Sequence, residues 1–190
     1  MKLVFATHNP NKFREIKSLL PKHIELLSLS DIDCHEDIEE TGDTIDENAM
    51  IKAEYVRNHY GYDCFADDTG LEVTALAGAP GVYSARYAGE TKDDEANIRK
   101  LLDQLEKRED RSARFKTVIA LNLKDRQNLF TGICKGTILK QKKGDKGFGY
   151  DPVFQPEGFD KSFAEMDLPE KSKISHRGIA FKELIEYLSK

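Results

Sequence analysis

The chain has 190 residues, 29 Lys+Arg against 34 Asp+Glu, a net charge of -5 and 39% hydrophobic residues. That length suits a single domain over residues 1–190, or at most two small lobes, and the acidic balance excludes the basic stripe that coats nucleic acid, so no nucleic-acid partner is expected. No apolar run approaches the roughly 18 residues of a membrane span, Leu3-Val4-Phe5-Ala6 is too short for a signal-peptide core, and three scattered cysteines suggest neither disulfides nor zinc, so a cytoplasmic protein without a membrane partner is expected.

In chain order, residues 2–6 form a short apolar run between turn residues and predict a buried strand. Asn9 can cap a helix, Pro10 fits its first turn, and Phe13, Ile16, Leu19 and Leu20 give it an apolar face. Residues 24–29 predict the next strand. Thr44 and Glu47 make a capping box ahead of Ile45, Ala49, Ala53 and Val56 at helical spacing. Cys64-Phe65-Ala66 and residues 71–75 predict two short strands either side of a polar turn. A helix over residues 91–107 buries Ile98, Leu101, Leu102 and Leu105. Residues 113–123 and 128–139 are the longest strand-like runs, the second alternating loosely through Phe130, Ile133 and Ile138. Asp125-Arg126-Gln127-Asn128 suggests a hairpin between them. Ser175 can cap a last helix carrying Ile179, Leu184, Ile185 and Leu188. Interleaved strands and helices with a late hairpin favour an α/β fold with a mixed sheet.

Five clusters carry potential chemistry. Thr7-His8-Asn9-Pro10-Asn11-Lys12 lies between strand and helix, where free N–H groups, a hydroxyl, an amide and a lysine make either an anion site or an ordinary capped turn. Glu39-Glu40-Thr41-Gly42 precedes the capping box, and a solvated acidic loop is its simplest reading. Asp67-Asp68-Thr69-Gly70 follows an apolar strand and offers the carboxylate oxygens a hard cation such as magnesium prefers. Lys52 falls on the apolar stripe of its helix, so it must snorkel out or meet an anion inside. The last cluster joins Gly147-Phe148-Gly149-Tyr150-Asp151-Pro152 to Lys171 and Ser175-His176-Arg177-Gly178. Its glycines let an aromatic face approach a flat ligand. Basic residues at the start of a helix oppose the dipole, and an anionic or carbonyl-rich partner would explain them. No Walker A, G-x-G-x-x-G, H-E-x-x-H, G-x-S-x-G or C-x-x-C pattern occurs. Two acidic turns, two basic helix starts and an aromatic glycine loop together suit a magnesium–nucleotide site.

With those motifs the chain resembles the inosine triphosphate pyrophosphatase family nearly end to end. The resemblance rests on Ala6-Thr7-x-Asn9-x-x-Lys12, Glu40-Thr41-Gly42, Glu47-Asn48-Ala49-x-x-Lys52-Ala53 and Ala66-Asp67-Asp68-Thr69-Gly70-Leu71. It continues through Gly78-Ala79-Pro80-Gly81-Val82-Tyr83-Ser84-Ala85-Arg86-Tyr87, the Gly147–Pro152 loop and Ser175-His176-Arg177-Gly178. Thr69 stands where a serine is usual and keeps the hydroxyl. The resemblance implies an α/β fold with an elongated, mixed, twisted sheet flanked by helices, two lobes around a deep substrate cleft, a homodimer and a Mg2+ requirement. It implies hydrolysis of dITP, ITP, XTP and dXTP to nucleoside monophosphate and pyrophosphate. Thr7, His8, Asn9, Pro10, Asn11 and Lys12 would hold the triphosphate, Glu40 and Asp68 the metal, and Thr69 another part of the substrate. Asp68 would also be the proton acceptor. Phe148, Gly149, Tyr150, Asp151, Lys171, His176 and Arg177 would hold base and sugar.

Elementary chemistry agrees. Magnesium with Lys12 and Lys52 would neutralise a leaving pyrophosphate, and an acid–metal pair around Asp68 would activate water. A carboxylate on magnesium loses basicity, so Asp68 either takes the proton or positions water and metal. Lys171 and Arg177 only donate hydrogen bonds and His176 can donate, which suits a 6-keto purine and rejects the amino group of adenine. Guanine must be refused at its 2-amino group by other contacts. The rival readings are a pyrophosphatase for pyrimidine or modified nucleotides, a non-catalytic nucleotide sensor, and a plain interaction module.

Overall fold

The first strand, β1 (Lys2–Phe5), buries Leu3, Val4 and Phe5 completely, because a run this apolar has no polar side to turn to water. The computed structural model describes residues 1–124 and 126–190, without the side chains of Asn11, Glu15 and Ser18. Asp125 of the expected hairpin and the Asn11 side chain expected at the phosphates therefore lie outside the described residues. The other strands are β2 (Glu25–Leu27), β3 (Cys64–Val73), β4 (Pro80–Gly81), β5 (Ser112–Leu123), β6 (Arg126–Ile138) and β7 (Phe154–Pro156). The helices are α1 (Pro10–Leu19), α2 (Ile45–Tyr60), α3 (Asp94–Gln104), α4 (Leu168–Ile174) and α5 (His176–Leu188). Among the described residues the sheet has seven strands in the order β2-β1-β3-β5-β6-β7, with β4 paired to β3. It is mixed: β1 runs parallel to β2 and β3, whereas β4 and β7 pair antiparallel with β3 and β6. The fold is a mixed α/β sheet with flanking helices. No helix among the described residues is long and apolar enough to cross a membrane.

The chain divides into two compact units. The first comprises Met1–Asp68, Thr117–Thr131 and Ala180–Lys190. Its core joins Leu3, Phe5, Ile16, Phe65, Ile119, Leu121, Phe181 and Leu184. Phe5 stacks on Phe65 with centroids 4.5 Å apart, and Phe181 meets both rings edge-on at 6.0 and 6.1 Å. Each such buried ring contributes about 1.5–3 kcal/mol through removal of apolar surface. The second unit comprises Thr69–Lys116 and Gly132–Ile179. Its core holds Leu71, Ile98, Leu101, Phe115, Val153, Phe154 and Phe163.

Local signals account for the helix ends. Asn9 Oδ1 accepts the Lys12 N–H at 3.2 Å, the Thr44–Glu47 box is closed in both directions, and Ser175 Oγ accepts the Gly178 N–H at 3.1 Å. α3 begins later than expected because Asp93, rather than Thr91, takes the cap, its carboxylate accepting from Glu95 and Ala96. Two strand readings are corrected. The expected polar turn at residues 67–70 is instead the middle of one continuous strand, β3. In β6 the buried positions are Phe130, Gly132, Cys134 and Ile138, while Ile133 is exposed, because the pleat admits only one parity to the core.

Candidate functional site

The first unit gathers five charged side chains. β3 carries Asp67 and Asp68 at adjacent positions, and the pleat sends adjacent side chains to opposite faces. Asp67 accordingly meets Lys12 of α1 at 2.7 Å, whereas Asp68 meets Lys52 of α2 at 3.4 Å. Lys52 also donates to Glu40 Oε1 at 2.6 Å. Its side chain is only 12% exposed, so the lysine on the apolar stripe meets anions rather than snorkelling out. Glu40, expected to be solvated, is half-buried against it. His8 Nε2 lies 3.0 Å from the Glu36 carbonyl oxygen. The Glu36 carboxylate in turn accepts from the hydroxyls of Tyr55 and Tyr60, both at 2.7 Å. Thr7 Oγ1 accepts the Asn9 N–H, so these two residues order the turn ahead of α1.

The electrostatics of the cluster follow from counting charges. Within this cluster of described residues three carboxylates, Glu40, Asp67 and Asp68, stand with two ammonium groups in a largely buried place, one carboxylate more than ammonium. Burial pushes the Asp68 carboxyl up to about 6; Glu40 and Asp67 add to the rise, and Lys52 and Lys12 oppose it. Burial pulls the Lys52 ammonium down, yet Asp68, Glu40 and Asp67 together hold it above the ordinary lysine value. Both partners of the Lys52–Asp68 pair thus rise: burial outweighs the pull of Lys52 on Asp68, with Glu40 and Asp67 adding to it, while the surrounding carboxylates outweigh burial for Lys52. Asn48, four residues before Lys52 and so on the same helix face, is 1% exposed. Its Oδ1 accepts the Gly42 N–H, while its Nδ2 is buried without a hydrogen-bond partner among the described residues.

An excess of buried carboxylate beside an unmet donor fits a divalent cation arriving with an anionic ligand. Among the described residues no three His, Cys, Asp or Glu side chains form an all-protein cage for a metal. Magnesium does not need one, since it commonly keeps waters and takes one or two carboxylates plus substrate phosphates. Glu40 and Asp68 supply that number.

The second unit holds the aromatic and basic residues. Phe148 is 58% exposed, with Lys171 Nζ and Arg177 Cζ each 5.4 Å from its ring centroid. Lys171 also donates to Asp151, whose Oδ2 accepts the Phe148 N–H at 3.0 Å. Lys171 lies in the last turn of α4, where positive charge suits the dipole, rather than at the start of α5. His176 is buried and stacks on Phe115, centroids 4.5 Å apart. Tyr150 is buried too, and its hydroxyl donates to the Ser84 carbonyl at 2.8 Å. Ser84 Oγ accepts the Leu71 N–H and donates to the Gly81 carbonyl. Residues 78–87 therefore brace the aromatic loop. Arg86 places its guanidinium over the Tyr83 ring at 5.4 Å. Thr69 is the first residue of this unit, half-buried on β3.

Gly178 has a steric role. A Cβ there would lie 1.8 Å from the Ser172 carbonyl oxygen, so only glycine lets α5 start this close to α4. Gly178→Ala is expected to cost about 2–3 kcal/mol of unfolding free energy, as overpacking against backbone does, measurable by urea denaturation. An unchanged midpoint would mean that the two helices separate freely.

Of the expected site residues, Lys12, Lys52, Glu40 and Asp68 lie together in the first unit, and Phe148, Asp151, Lys171, His176 and Arg177 lie in the second. The sequence reading missed Asp67 as the partner of Lys12, although its fully apolar neighbours Phe65 and Ala66 signalled burial. A groove of about 750 Å3 in the second unit, lined by Glu72, Arg114, Lys135 and Glu157, contains none of the expected site residues.

The chain matches the Ham1 family over residues 3–187. A dITP/XTP pyrophosphatase from Christiangramia forsetii is 84% identical over 190 residues, covering all of both chains. One from Bacillus subtilis is 46% identical over 189 residues, 97% of this chain and 96% of its own. Among solved structures, the Staphylococcus aureus Ham1 protein aligns with a TM-score of 0.94 at 42% identity, covering 100% of this chain and 98% of that one. A HAM1 protein from Coxiella burnetii aligns with a TM-score of 0.95 at 39% identity, again over 100% and 98%. On motifs, fold and side-chain clusters alike, the chain belongs to the Ham1 family.

Proposed function

We propose that this protein hydrolyses the non-canonical purine nucleotides dITP, ITP, XTP and dXTP to nucleoside monophosphate and pyrophosphate, keeping them out of DNA and RNA. The observation that carries the reading is the buried group of Lys12, Lys52, Glu40, Asp67 and Asp68, with its excess of carboxylate. The named activity of the relatives, dITP/XTP pyrophosphatase, supports the reaction class.

Each residue then has a task. Thr7, His8, Asn9, Pro10 and Lys12 bind the triphosphate at the start of α1, with Lys52 adding positive charge from α2. Glu40 and Asp68 hold Mg2+, which when bound supplies charge neutralisation to the phosphates and acidity to nearby water. Asp68, whose carboxyl stands at about 6 without metal and is ionised at neutral pH, either accepts the proton of the attacking water or positions the water and the metal. Asp67 holds the Lys12 ammonium in place. Phe148 offers a stacking face, and Lys171 and Arg177 are donors that favour a 6-keto purine over adenine. His176, buried on Phe115, keeps the start of α5 in position. The protein acts as a homodimer in the cytoplasm, which sedimentation of the purified chain and cell fractionation would check.

Pyrophosphate release with Mg2+ from dITP, XTP, dATP, dGTP and dTTP tests the reading. The expected result is kcat/KM for dITP and XTP at least about a hundredfold above that for dATP, as mispaired donors demand. Comparable turnover of dATP and dITP would overturn the base selection, and no release from any substrate would overturn the reaction.

A further inference from the structure

We propose that Asp94, the first residue of α3, is a positioning residue that aims the Phe148 ring at the purine base. The inference rests on the reading of Phe148 as the face that receives the base. The two peptide groups flanking the Phe148 α-carbon are each tied to a carboxylate. The Phe148 N–H donates to Asp151 Oδ2 at 3.0 Å, and the Gly149 N–H donates to Asp94 Oδ2 at 2.7 Å. Peptide groups are planar, so φ and ψ of Phe148 are the only soft angles between those two N–H vectors. Holding both vectors holds the backbone from which the ring projects.

Gly147 and Gly149 stand at φ 75° and 59°, a region glycine enters and leaves without penalty, so the loop lacks intrinsic stiffness there. The ring is mostly exposed and has the Lys171 and Arg177 cations over it. Charge-assisted hydrogen bonds from a carboxylate to backbone N–H are among the stronger local restraints. Asp151 is already shared with Lys171, whereas Asp94 Oδ2 accepts directly from the Gly149 N–H.

The support behind Asp94 is firm. Asp93 caps α3 through the N–H groups of Glu95 and Ala96. Asn97, 2% exposed, accepts the Ala88 N–H at 2.6 Å and donates to the Ala85 carbonyl at 3.0 Å. The first turn of α3 is therefore fixed to residues 85–88, and Tyr150 is fixed to neighbouring Ser84. Asp94 completes this frame on the open side of the aromatic loop. An acid in the first turn of a helix also suits the dipole; that role alone would change stability and leave base binding untouched.

The test compares Asp94→Ala, Asp94→Asn and Phe148→Ala with the unmodified protein, by kinetics on dITP, thermal melting, and amide hydrogen exchange of Gly149 without nucleotide. Asp94→Ala is expected to raise KM for dITP about fivefold or more with kcat within about twofold, the pattern of lost binding preorganisation. It should also speed exchange at Gly149. Asp94→Asn keeps an acceptor oxygen and should restore both. Unchanged KM in Asp94→Ala, with KM raised in Phe148→Ala, overturns the positioning role alone. Unchanged KM in Phe148→Ala overturns the base-site reading and this inference with it. Equal losses of melting temperature in both Asp94 variants at unchanged KM would leave only the helix-dipole role.

Discussion

Asp68→Asn is expected to lower turnover of dITP by at least about a thousandfold, with nucleotide affinity little changed, while raising the melting temperature of the metal-free protein at neutral pH. The loss follows from removing the proton acceptor or water-positioning group and one of two magnesium ligands, and general-base groups commonly contribute about 10²–10⁴-fold alone. The gain follows from removing a charge that burial disfavours and that Glu40 and Asp67 repel. In the folded protein the Asp68 carboxyl is pushed up to about 6, against 3.8 as the ordinary value. The native state therefore holds this proton more tightly than the unfolded chain, and stability falls as pH rises through that window. Above the window the ionised carboxylate costs about 3 kcal/mol in order of magnitude, from a shift of roughly two units. Asparagine keeps the shape without the charge. Melting in EDTA across the pH range should give a variant advantage that grows between about pH 4 and 6 and is constant above. Magnesium should narrow the difference by stabilising the unmodified protein. Near-normal turnover would defeat the catalytic assignment, and a variant less stable than the parent at neutral pH would defeat the charge account.

The sequence was most legible where a residue's local chemistry and its tertiary role coincide. Asn9, Thr44 and Ser175 satisfy orphan N–H groups at helix starts, a need visible in sequence order alone, and all three bonds form. Lys52 was legible as an anomaly: its helical phase put an ammonium on an apolar stripe, which required an anion. What it could not announce was that Asp67 and Asp68 would take separate lysines, because two adjacent acids with Thr69 and Gly70 read as a turn. Tertiary pairing overrode that preference; the pairing of β1 with Cys64 and Phe65 and of β4 with Leu71 and Glu72 carries the strand through the acidic residues. Asp94 was silent for a similar reason. An acid at the start of a helix is explained by the dipole, and its partner, the Gly149 N–H, lies 55 positions away in a loop. Likewise β4 and β7, at two and three residues, are too short to leave a pattern of alternation.

Lys52→Met is the converse of the asparagine variant and has the second large effect. The largely buried lysine lies between Glu40 at 2.6 Å and Asp68 at 3.4 Å, so removing its charge leaves two carboxylates facing each other with Asp67 close by. Breaking one side of a buried ion pair typically costs about 3–5 kcal/mol because the remaining charge has no partner. The loss should shrink in mildly acidic buffer, where Asp68 can take up a proton. It should also shrink in the Asp68→Asn background, since that substitution removes the charge left uncompensated. Interacting neighbours in such a double-mutant cycle commonly differ from additivity by about 0.5–3 kcal/mol. Turnover of dITP should fall at least about a hundredfold, because charge facing the phosphates is lost with the side chain. Magnesium supplies a separate readout. A divalent cation between the bared carboxylates would replace the missing ammonium, so it should raise the melting temperature of Lys52→Met more than that of the unmodified protein. A smaller rise in the variant would mean that Lys52 itself is needed for the cation to bind, and Glu40 and Asp68 would then not suffice as its ligands. A strictly additive cycle would place Lys52 and Asp68 in energetically separate surroundings, and the account of one buried, charge-coupled group in the first unit would fail with it.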